Sequence, residues 1–583
     1  MIDKNNEIQQ KNIDLLIMGY WYEDLPPIID VEKMKNFTKK IIENIDNDKY
    51  DDFGKTDGII TEYKNTEAPT YIFNDGIEPI TFFEFKKNGA LREMQIPNLK
   101  YYCTFIYNTI AVYDDLFSKL YNNPKFEKYV CSSNSYILFN ELFHIYKSYS
   151  GDEEIIEQGI FAVRNNKTTG QLALEENNIR YLKKQGAKSY SVKVDIESFY
   201  PNVYTHYLSK IKDVEPYKDN VDCDVYFDFL DYYNMKINNN QTKGIVTGVF
   251  SSVVSAELLM LCVDYEINNI IGDDVTYIRY VDDMTFFSDS LETIHLKLPL
   301  VQQILNKYRL RINNDKTEEQ KSIYNMSYVD VYELKWRFDF FDFDSSKKIK
   351  YNKEVFYNIK GYVAGAYDNS QKSEIKAFLS MFRRAIISEK LYFDIEEKLD
   401  MKKYTVAYML QLACLEPIFA SRCYKVIIEI LNLMEDDDKK DEVIALLKSK
   451  NNFINSTYHD SLLQIWHYYV LSKYNPNTDI NELICSFEGD EINPIILAEF
   501  VKEGKAVNKE LFKYIKDKYS AMVYKEGEQS FWMKSIMFSK WWLPLFVIYL
   551  KDGKNYSKFY ESQHFHAIYK EMKEEINEES TIN

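Results

Sequence analysis

The chain has 583 residues, of which 45% are hydrophobic, and a formal net charge of −18. That length suggests two or three packed domains, and that hydrophobic share argues against a disordered chain. The acidic balance argues against broad, nonspecific adhesion to DNA.

The first residues, Met1-Ile2-Asp3-Lys4-Asn5-Asn6-Glu7, lack the basic-then-apolar order of a secretory leader. Seven cysteines, at 103, 131, 223, 262, 414, 423 and 485, include no Cys-x-x-Cys pair. They read as reduced core thiols of a cytoplasmic protein without a zinc site. No apolar run reaches the length of a membrane span, and Trp541–Leu550 is short enough for a core helix.

From Phe161 to Val194 seven basic residues (Arg164, Lys167, Arg180, Lys183, Lys184, Lys188 and Lys193) face two acids, Glu175 and Glu176. Such a stretch can receive a triphosphate or a nucleic-acid backbone. Arg164 and Lys167 adjoin Thr168-Thr169-Gly170, a predicted loop, while Arg180–Lys184 reads equally well as a solvated helix face.

Val192, Val194 and Ile196 then alternate with polar positions, which predicts a strand with Asp195 near its end, stopped by Pro201. Gly244 and Gly248 let the backbone approach a flat partner closely, and 249–267 reads as a long buried helix. Its small face, Ser251, Ser252 and Ser255, reads as tight packing. Next, Tyr277-Ile278-Arg279-Tyr280-Val281-Asp282-Asp283-Met284-Thr285-Phe286-Phe287 predicts two short strands with paired carboxylates at their turn. Adjacent acids repel, so this pair makes sense if a divalent cation neutralises it, and hard oxygen ligands suit Mg²⁺. Two strands each ending in Asp can hold a pair of metal ions that activates a hydroxyl nucleophile and stabilises a leaving pyrophosphate.

After about residue 355 helical periodicity takes over. Helices are expected over 377–387, 407–419, 424–434, 442–448, 462–474, 495–502, 510–518 and 532–550. Glu435-Asp436-Asp437-Asp438-Lys439-Lys440 reads as a solvated loop between them. The spacing suggests stacked hairpins of an α-solenoid. His564 and His566 read as surface histidines.

In order along the chain, Asp195, Lys243-Gly244 and Asp282-Asp283 resemble the palm of reverse transcriptases. Leu310-Arg311-Ile312-Asn313-Asn314-Asp315-Lys316-Thr317 resembles the next palm motif. One departure is Lys-Gly-Ile-Val where most members carry Gln-Gly and then Ala-Pro. RNA-dependent RNA polymerases carry a second Asp five positions after the first to engage the ribose 2′ hydroxyl. Here that position is Tyr200, whose ring would block it and favour deoxynucleotides. The asparagine-serine-tyrosine-glycine motif of family B polymerases is missing.

Ile96-Pro97-Asn98-Leu99, the Phe199-Tyr200…Tyr204-Thr205-His206 string and Ser255-Ala256-Glu257-Leu258 resemble the abortive-infection reverse transcriptases of bacterial phage defence, on their AbiK-like side. The resemblance implies an α+β fold: an extension over 1–90, right-hand fingers and palm over 91–350, and an all-α, HEAT-like helical-repeat domain over 351–583. It implies Asp195, Asp282 and Asp283 as catalytic residues, Asp195, Ile196, Asp282 and Asp283 as ligands of Mg²⁺ or Mn²⁺, and Tyr200, Lys243, Gly244, Arg164 and Lys316 as nucleotide-binding. The implied partners are dNTPs, a single-stranded DNA product that can remain covalently attached, in related enzymes a noncoding RNA, and further copies of the chain in a trimer or hexamer. Members prime synthesis from their own tyrosine, and some use no template. That tyrosine is unplaced: Phe53 stands where a family segment bears Tyr, with Tyr50 close by. Two alternatives stay open, a conventional templated reverse transcriptase of retron or mobile-element type and a nucleic-acid-binding sensor with an inactive palm.

Overall fold

A computed structural model describes residues 7–551, apart from 64–75, 117–155, 169–180, 322–333, 394–400, 524–538 and breaks of one to four residues elsewhere. His564 and His566 fall outside the described residues.

The chain opens with α1 (Glu7–Met18) and α2 (Val31–Asp46), which pack on α3 (Leu99–Ala111). Asn98 caps α3 by accepting from the Lys100 amide, satisfying an otherwise orphan donor of the first turn. Two antiparallel hairpins lie between them, β1 (Phe53–Thr56) with β2 (Ile59–Tyr63), and β3 (Ile80–Phe85) with β4 (Leu91–Ile96). β5 (Ile156–Gln158), β6 (Phe161–Arg164) and β7 (Lys167–Thr168) form a small antiparallel sheet.

The central sheet is four-stranded and antiparallel, in the order β11 (Ile312–Lys321), β8 (Tyr190–Ile196), β10 (Asp283–Ser288), β9 (Thr276–Tyr280). The predicted alternation in β8 holds: Val192, Val194 and Ile196 are fully buried on one face. Against the sheet lie α5 (Phe250–Ile271) and α6 (Leu291–Lys307), and α4 (Asp224–Lys236) lies beside α5. α5 is buried for most of its length, so its sequence reads as one apolar run rather than as a stripe. Gly272, at φ +73°, ends it in a conformation that a side chain rarely adopts.

Helices stand at each expected place in the second half, with other bounds: Lys372–Ile387, Met401–Leu415, Ala420–Asn432, Asp437–Lys448, Leu462–Tyr474, Pro494–Lys502, Asn508–Val523 and Trp542–Lys551. The helix expected over 407–419 ends at Leu415, and of that expected over 532–550 residues 532–538 lie outside the described residues and the helix begins at Trp542. Two features correct the sequence reading. Asp437–Lys440 opens a helix instead of lying in a loop, because acids at a helix N-terminus interact favourably with its dipole. Strand signals also persist past residue 355, since β13 (Leu391–Phe393) pairs parallel with β12 (Ile349–Tyr351). Among the described residues no helix is long and apolar enough to cross a membrane. The six described cysteines are free thiols, five of them buried.

The two halves meet at several places, among them the rings of Phe37 and Phe546 and the two polar contacts that follow. The Asn493 amide donates to the Thr81 carbonyl (2.9 Å) and the Phe83 amide to the Asp460 carbonyl (2.8 Å), docking the helical half on the β3–β4 hairpin. Asp24 inserts among later helices, accepting from Ser421 Oγ (3.0 Å) and Arg422 Nη1 (3.1 Å), while Trp466 Nε1 donates to its carbonyl (2.7 Å). Burial alone would raise the Asp24 pKa, but Arg422 and Lys425 outweigh it and hold the carboxyl below its usual value. Its pairing therefore stabilises the fold above the unfolded pKa and is lost as pH falls through the folded one. Asp24→Ala should lower unfolding stability by about 1–3 kcal/mol at neutral pH, read by thermal or urea melts, with a smaller loss in acid.

Candidate active site

Backbone pairing brings the carboxylates together. In the β8–β10 register Asp283 stands directly opposite Asp195, and the Ile196 amide donates to the Asp282 carbonyl (3.2 Å). Like charges directly opposite on a sheet are destabilising. Two lysines offset this: Lys193 Nζ lies 3.0 Å from Asp283, and Lys316 Nζ lies 2.8 Å from Asp195. Lys193 shares a strand face with Asp195, two residues along β8.

Asp282 occupies the turn. Burial, then the charges of Asp195 and Asp283, push its pKa up to about 6 against a smaller opposing pull from Lys316. Preceding it, Val281 adopts φ +54°, which is strained for a β-branched residue. Arg279 holds that strain in place by donating from Nη1 to the Val281 carbonyl (2.9 Å). The rest of its guanidinium is bound by Glu257 (Nη1–Oε2 and Nη2–Oε1, both 2.9 Å) and Asp264 (Nη2–Oδ2, 2.7 Å; Nε–Oδ1, 3.0 Å). Tyr277 Oη also donates to Asp264 (2.7 Å). Burial would lower the Arg279 pKa, but the two carboxylates raise it well above its ordinary value, so a fixed cation sits beneath the turn.

The loops flanking Asp195 are laced to the glycine segment. The Gly244 amide donates to the Val203 carbonyl (2.8 Å) and the Ile245 amide to the Tyr200 carbonyl (3.1 Å). Gly244 has φ +89°, and a Cβ there would come within 3.3 Å of the Pro201 carbonyl oxygen. A Cβ at Gly248 would meet Met94 Cε at 2.8 Å. Both glycines stand at positive φ, +89° and +109°, where a side chain would be strained, and Gly244 also lines the open cleft. The serine face of α5 meets α4: Tyr233 Oη donates to Ser251 Oγ (3.1 Å) and Asn234 Nδ2 to Ser255 Oγ (3.0 Å).

A cleft of about 1150 Å³ opens over the carboxylates. Asp195, Tyr200, Lys243, Gly244, Tyr280, Asp282, Asp283 and Lys316 line its floor; Arg92, Glu93 and Gln95 of β4 line one side; Asp460, Asn493 and Lys540 of the helical half close another. Tyr200 is half-buried, its ring edge-on to Phe199, and burial raises its hydroxyl pKa so that it stays neutral. The structure thus gathers Asp195, Asp282, Asp283, Ile196, Tyr200, Lys243, Gly244 and Lys316 at one place. Arg164 pairs with Lys167 across β6–β7, and the surroundings of its side chain lie outside the described residues. Tyr50 and Phe53 are both buried away from this cleft, among the aromatic rings of the N-terminal part.

Sequence reasoning missed Arg279, Glu257, Asp264 and the role of Lys193. A signal existed: an arginine inside an apolar strand, and two acids seven residues apart on one face of an otherwise apolar helix, each requiring a partner if buried.

Among the described residues no three carboxylate, imidazole or thiol groups already stand at metal-binding spacing. The donor set nevertheless fits a divalent cation. Asp195 and Asp283 face each other across β8–β10 with Asp282 on the adjoining turn, a set of hard oxygen donors whose ionised form is disfavoured at Asp282 and balanced by lysines at the other two.

Residues 140–351 match the family model described as Reverse transcriptase (RNA-dependent DNA polymerase), well under half of the chain. On that match the chain carries a reverse-transcriptase-type domain and is an RNA-directed DNA polymerase-like nucleotidyltransferase. No curated protein is significantly similar to the chain. Apo telomerase from Candida tropicalis aligns at 12% identity over 79% of this chain and 68% of its own, with a TM-score of 0.27. Telomerases from C. tropicalis and C. albicans in complex with a fragment of telomeric RNA align at 14% and 12% identity, over 80% of this chain in each case. The chain spans 64% and 65% of those two, with TM-scores of 0.27 and 0.24. At such TM-scores the likeness carries no argument.

Asp282 ionises against its surroundings, so its charge opposes folding above about pH 6 and not below the unfolded value of about 4. Asp282→Asn should therefore stabilise the protein by about 1–3 kcal/mol at neutral pH, a gain that fades as pH falls through that window in calorimetric melts. Arg279→Met should destabilise by about 3–5 kcal/mol by stranding two buried acids, and adding Glu257→Gln and Asp264→Asn should restore much of the loss.

Proposed function

We propose that the chain synthesises DNA from dNTPs by metal-dependent nucleotidyl transfer in the cleft above Asp195, Asp282 and Asp283. The observation that carries this reading is the cross-strand pairing of Asp283 with Asp195, with Asp282 on the adjoining turn. Asp195, Asp282, Asp283 and Ile196 would hold Mg²⁺ or Mn²⁺, which when bound supplies charge stabilisation at the attacking and leaving oxygens.

The chain's own groups do the rest. Tyr200, a neutral ring beside Asp195 in the cleft, crowds the sugar's 2′ position and selects deoxynucleotides. Lys316, exposed and reaching Asp195, exchanges that carboxylate for the phosphates of the nucleotide and supplies a proton or positive charge to the leaving group. Lys243 offers a second cation at the cleft edge, and Gly244 fixes the loop that presents it.

The motif strings that resemble the AbiK-like defence enzymes support a finer reading: a protein-primed polymerase of phage defence whose later helices stack as HEAT-like repeats and which assembles into oligomers. Neither Tyr50 nor the position of Phe53 favours that tyrosine-priming step, because both side chains are buried. The second reading, a conventional templated enzyme, is separated by the same assay.

Purified protein is incubated with labelled dNTPs and Mg²⁺ or Mn²⁺, with and without primer–template, and products are run before and after proteinase K. Asp195→Ala and Asp282→Ala should each remove incorporation while leaving the melting curve cooperative; persistent synthesis in either would sink the site assignment. Label released only by protease supports self-priming, and label dependent on added primer supports the conventional enzyme. Tyr200→Ala should raise ribonucleotide use relative to deoxynucleotide by about tenfold or more.

A further inference from the structure

Beside the cleft lies a second, smaller pocket of about 400 Å³, lined by Glu197, Asn202, Tyr204, Lys243, Arg309 and Arg311. It gathers three cations and one acid in a chain whose net charge is −18. Lys243, Arg309 and Arg311 have no ion-pair partner among the described residues. Elsewhere on the surface basic groups commonly pair with acids, as Lys212 does with Asp228 and Lys348 with Glu389. A group of unpaired cations facing one hollow carries repulsion that a bound anion relieves.

The segments that carry these groups are fixed through their backbones, and one guanidinium through a ring contact. The Arg309 guanidinium sits over the Tyr204 ring, 5.0 Å from its centroid, and its backbone occupies the left-handed region at φ +58°. Its amide donates to the Asn306 carbonyl (3.0 Å). Arg311 is fixed by its carbonyl, which accepts from the Glu197 amide (2.9 Å), and Tyr204 bridges Lys243 across the loops. Asn202 Nδ2 donates to the Glu197 carbonyl (2.9 Å), and Ser198 in the same turn is again left-handed, at φ +45°. Strained non-glycine residues on two of the contributing segments mark a shape that the rest of the fold enforces.

Position identifies the anion. Arg311 directly precedes β11, where Asn313 pairs with Asp195, and Lys243 lines both this pocket and the cleft. The pocket therefore opens where the Asp195 strand ends, with one cation shared between the two. We propose that it binds a polyphosphate: the phosphate tail of an incoming nucleotide or the pyrophosphate that leaves. Arginine forks suit such groups through paired charge-assisted hydrogen bonds, and Tyr204 pre-orients one of them. The choice between these sources rests on the polymerase reading above; the binding itself does not.

The test titrates inorganic tripolyphosphate and then pyrophosphate into the full chain without metal, by calorimetry. Arg309→Gln with Arg311→Gln should weaken both at least about tenfold, as expected for losing two charge-assisted contacts. Both side chains are exposed, so the cooperative melt should survive, and Lys473→Gln on a distant helix should change nothing. In steady-state synthesis, a raised KM for dNTP in Arg311→Gln identifies the incoming tail; weaker pyrophosphate inhibition at unchanged KM identifies the leaving group. Unchanged tripolyphosphate affinity in the double variant, or an equal loss in Lys473→Gln, overturns the site. So does a loss confined to single-stranded oligonucleotide, which would make the pocket a contact for nucleic-acid backbone. A protein that binds polyphosphate through Arg309 and Arg311 yet incorporates no nucleotide would refute the polymerase reading and leave this pocket standing.

Discussion

The salt-bridged clamp around Arg279 is the interaction on which the site depends. Three carboxylates at one end of a sheet repel one another, and a two-residue turn that carries Asp282 and leads straight into Asp283 has every reason to open. Arg279 prevents that from below, with its guanidinium held by two acids of α5 and one hydrogen bond left for the strained Val281 carbonyl. Buried ion pairs of this kind add little net stability over an apolar replacement; what this one supplies is the geometry of the turn, through the bond to the Val281 carbonyl.

That constraint explains why the surrounding elements are built as they are. α5 must be long and buried, because Glu257 and Asp264 lie two turns apart and both must reach one guanidinium. It must also be locked in rotation, which the hydrogen bonds from Tyr233 and Asn234 of α4 to Ser251 and Ser255 favour. Above the sheet, Lys193 and Lys316 neutralise the carboxylates from the open side, where they can be exchanged for ligands. The helical half and the β3–β4 hairpin then form the walls of a polar cleft over this floor.

Much of this was legible in the sequence. Period-two alternation at Val192, Val194 and Ile196, and aromatic strands around Asp282-Asp283, gave the two carboxylate strands because both patterns follow from a sheet with one buried face. Helix periodicity located most of the second half, although the ends were missed where polar residues continue a helix, as at Asp437. The pairing of Asp283 with Asp195 could not be read, since strand register depends on contacts between segments far apart in the chain. For the same reason the partners of Arg279 were not legible, and Arg311 stood only as one position of the string around Lys316. The glycines were legible as special positions, but their partners, Pro201 and Met94, were not.

The most direct test of the three-carboxylate site is a Mn²⁺ titration of the full chain followed by electron paramagnetic resonance, repeated on Asp195→Asn and Asp282→Asn. The expected result is saturable binding by the unsubstituted protein and loss of that binding in both variants while each still melts cooperatively. Mn²⁺ binding of equal affinity in all three proteins would contradict a metal site built from these aspartates.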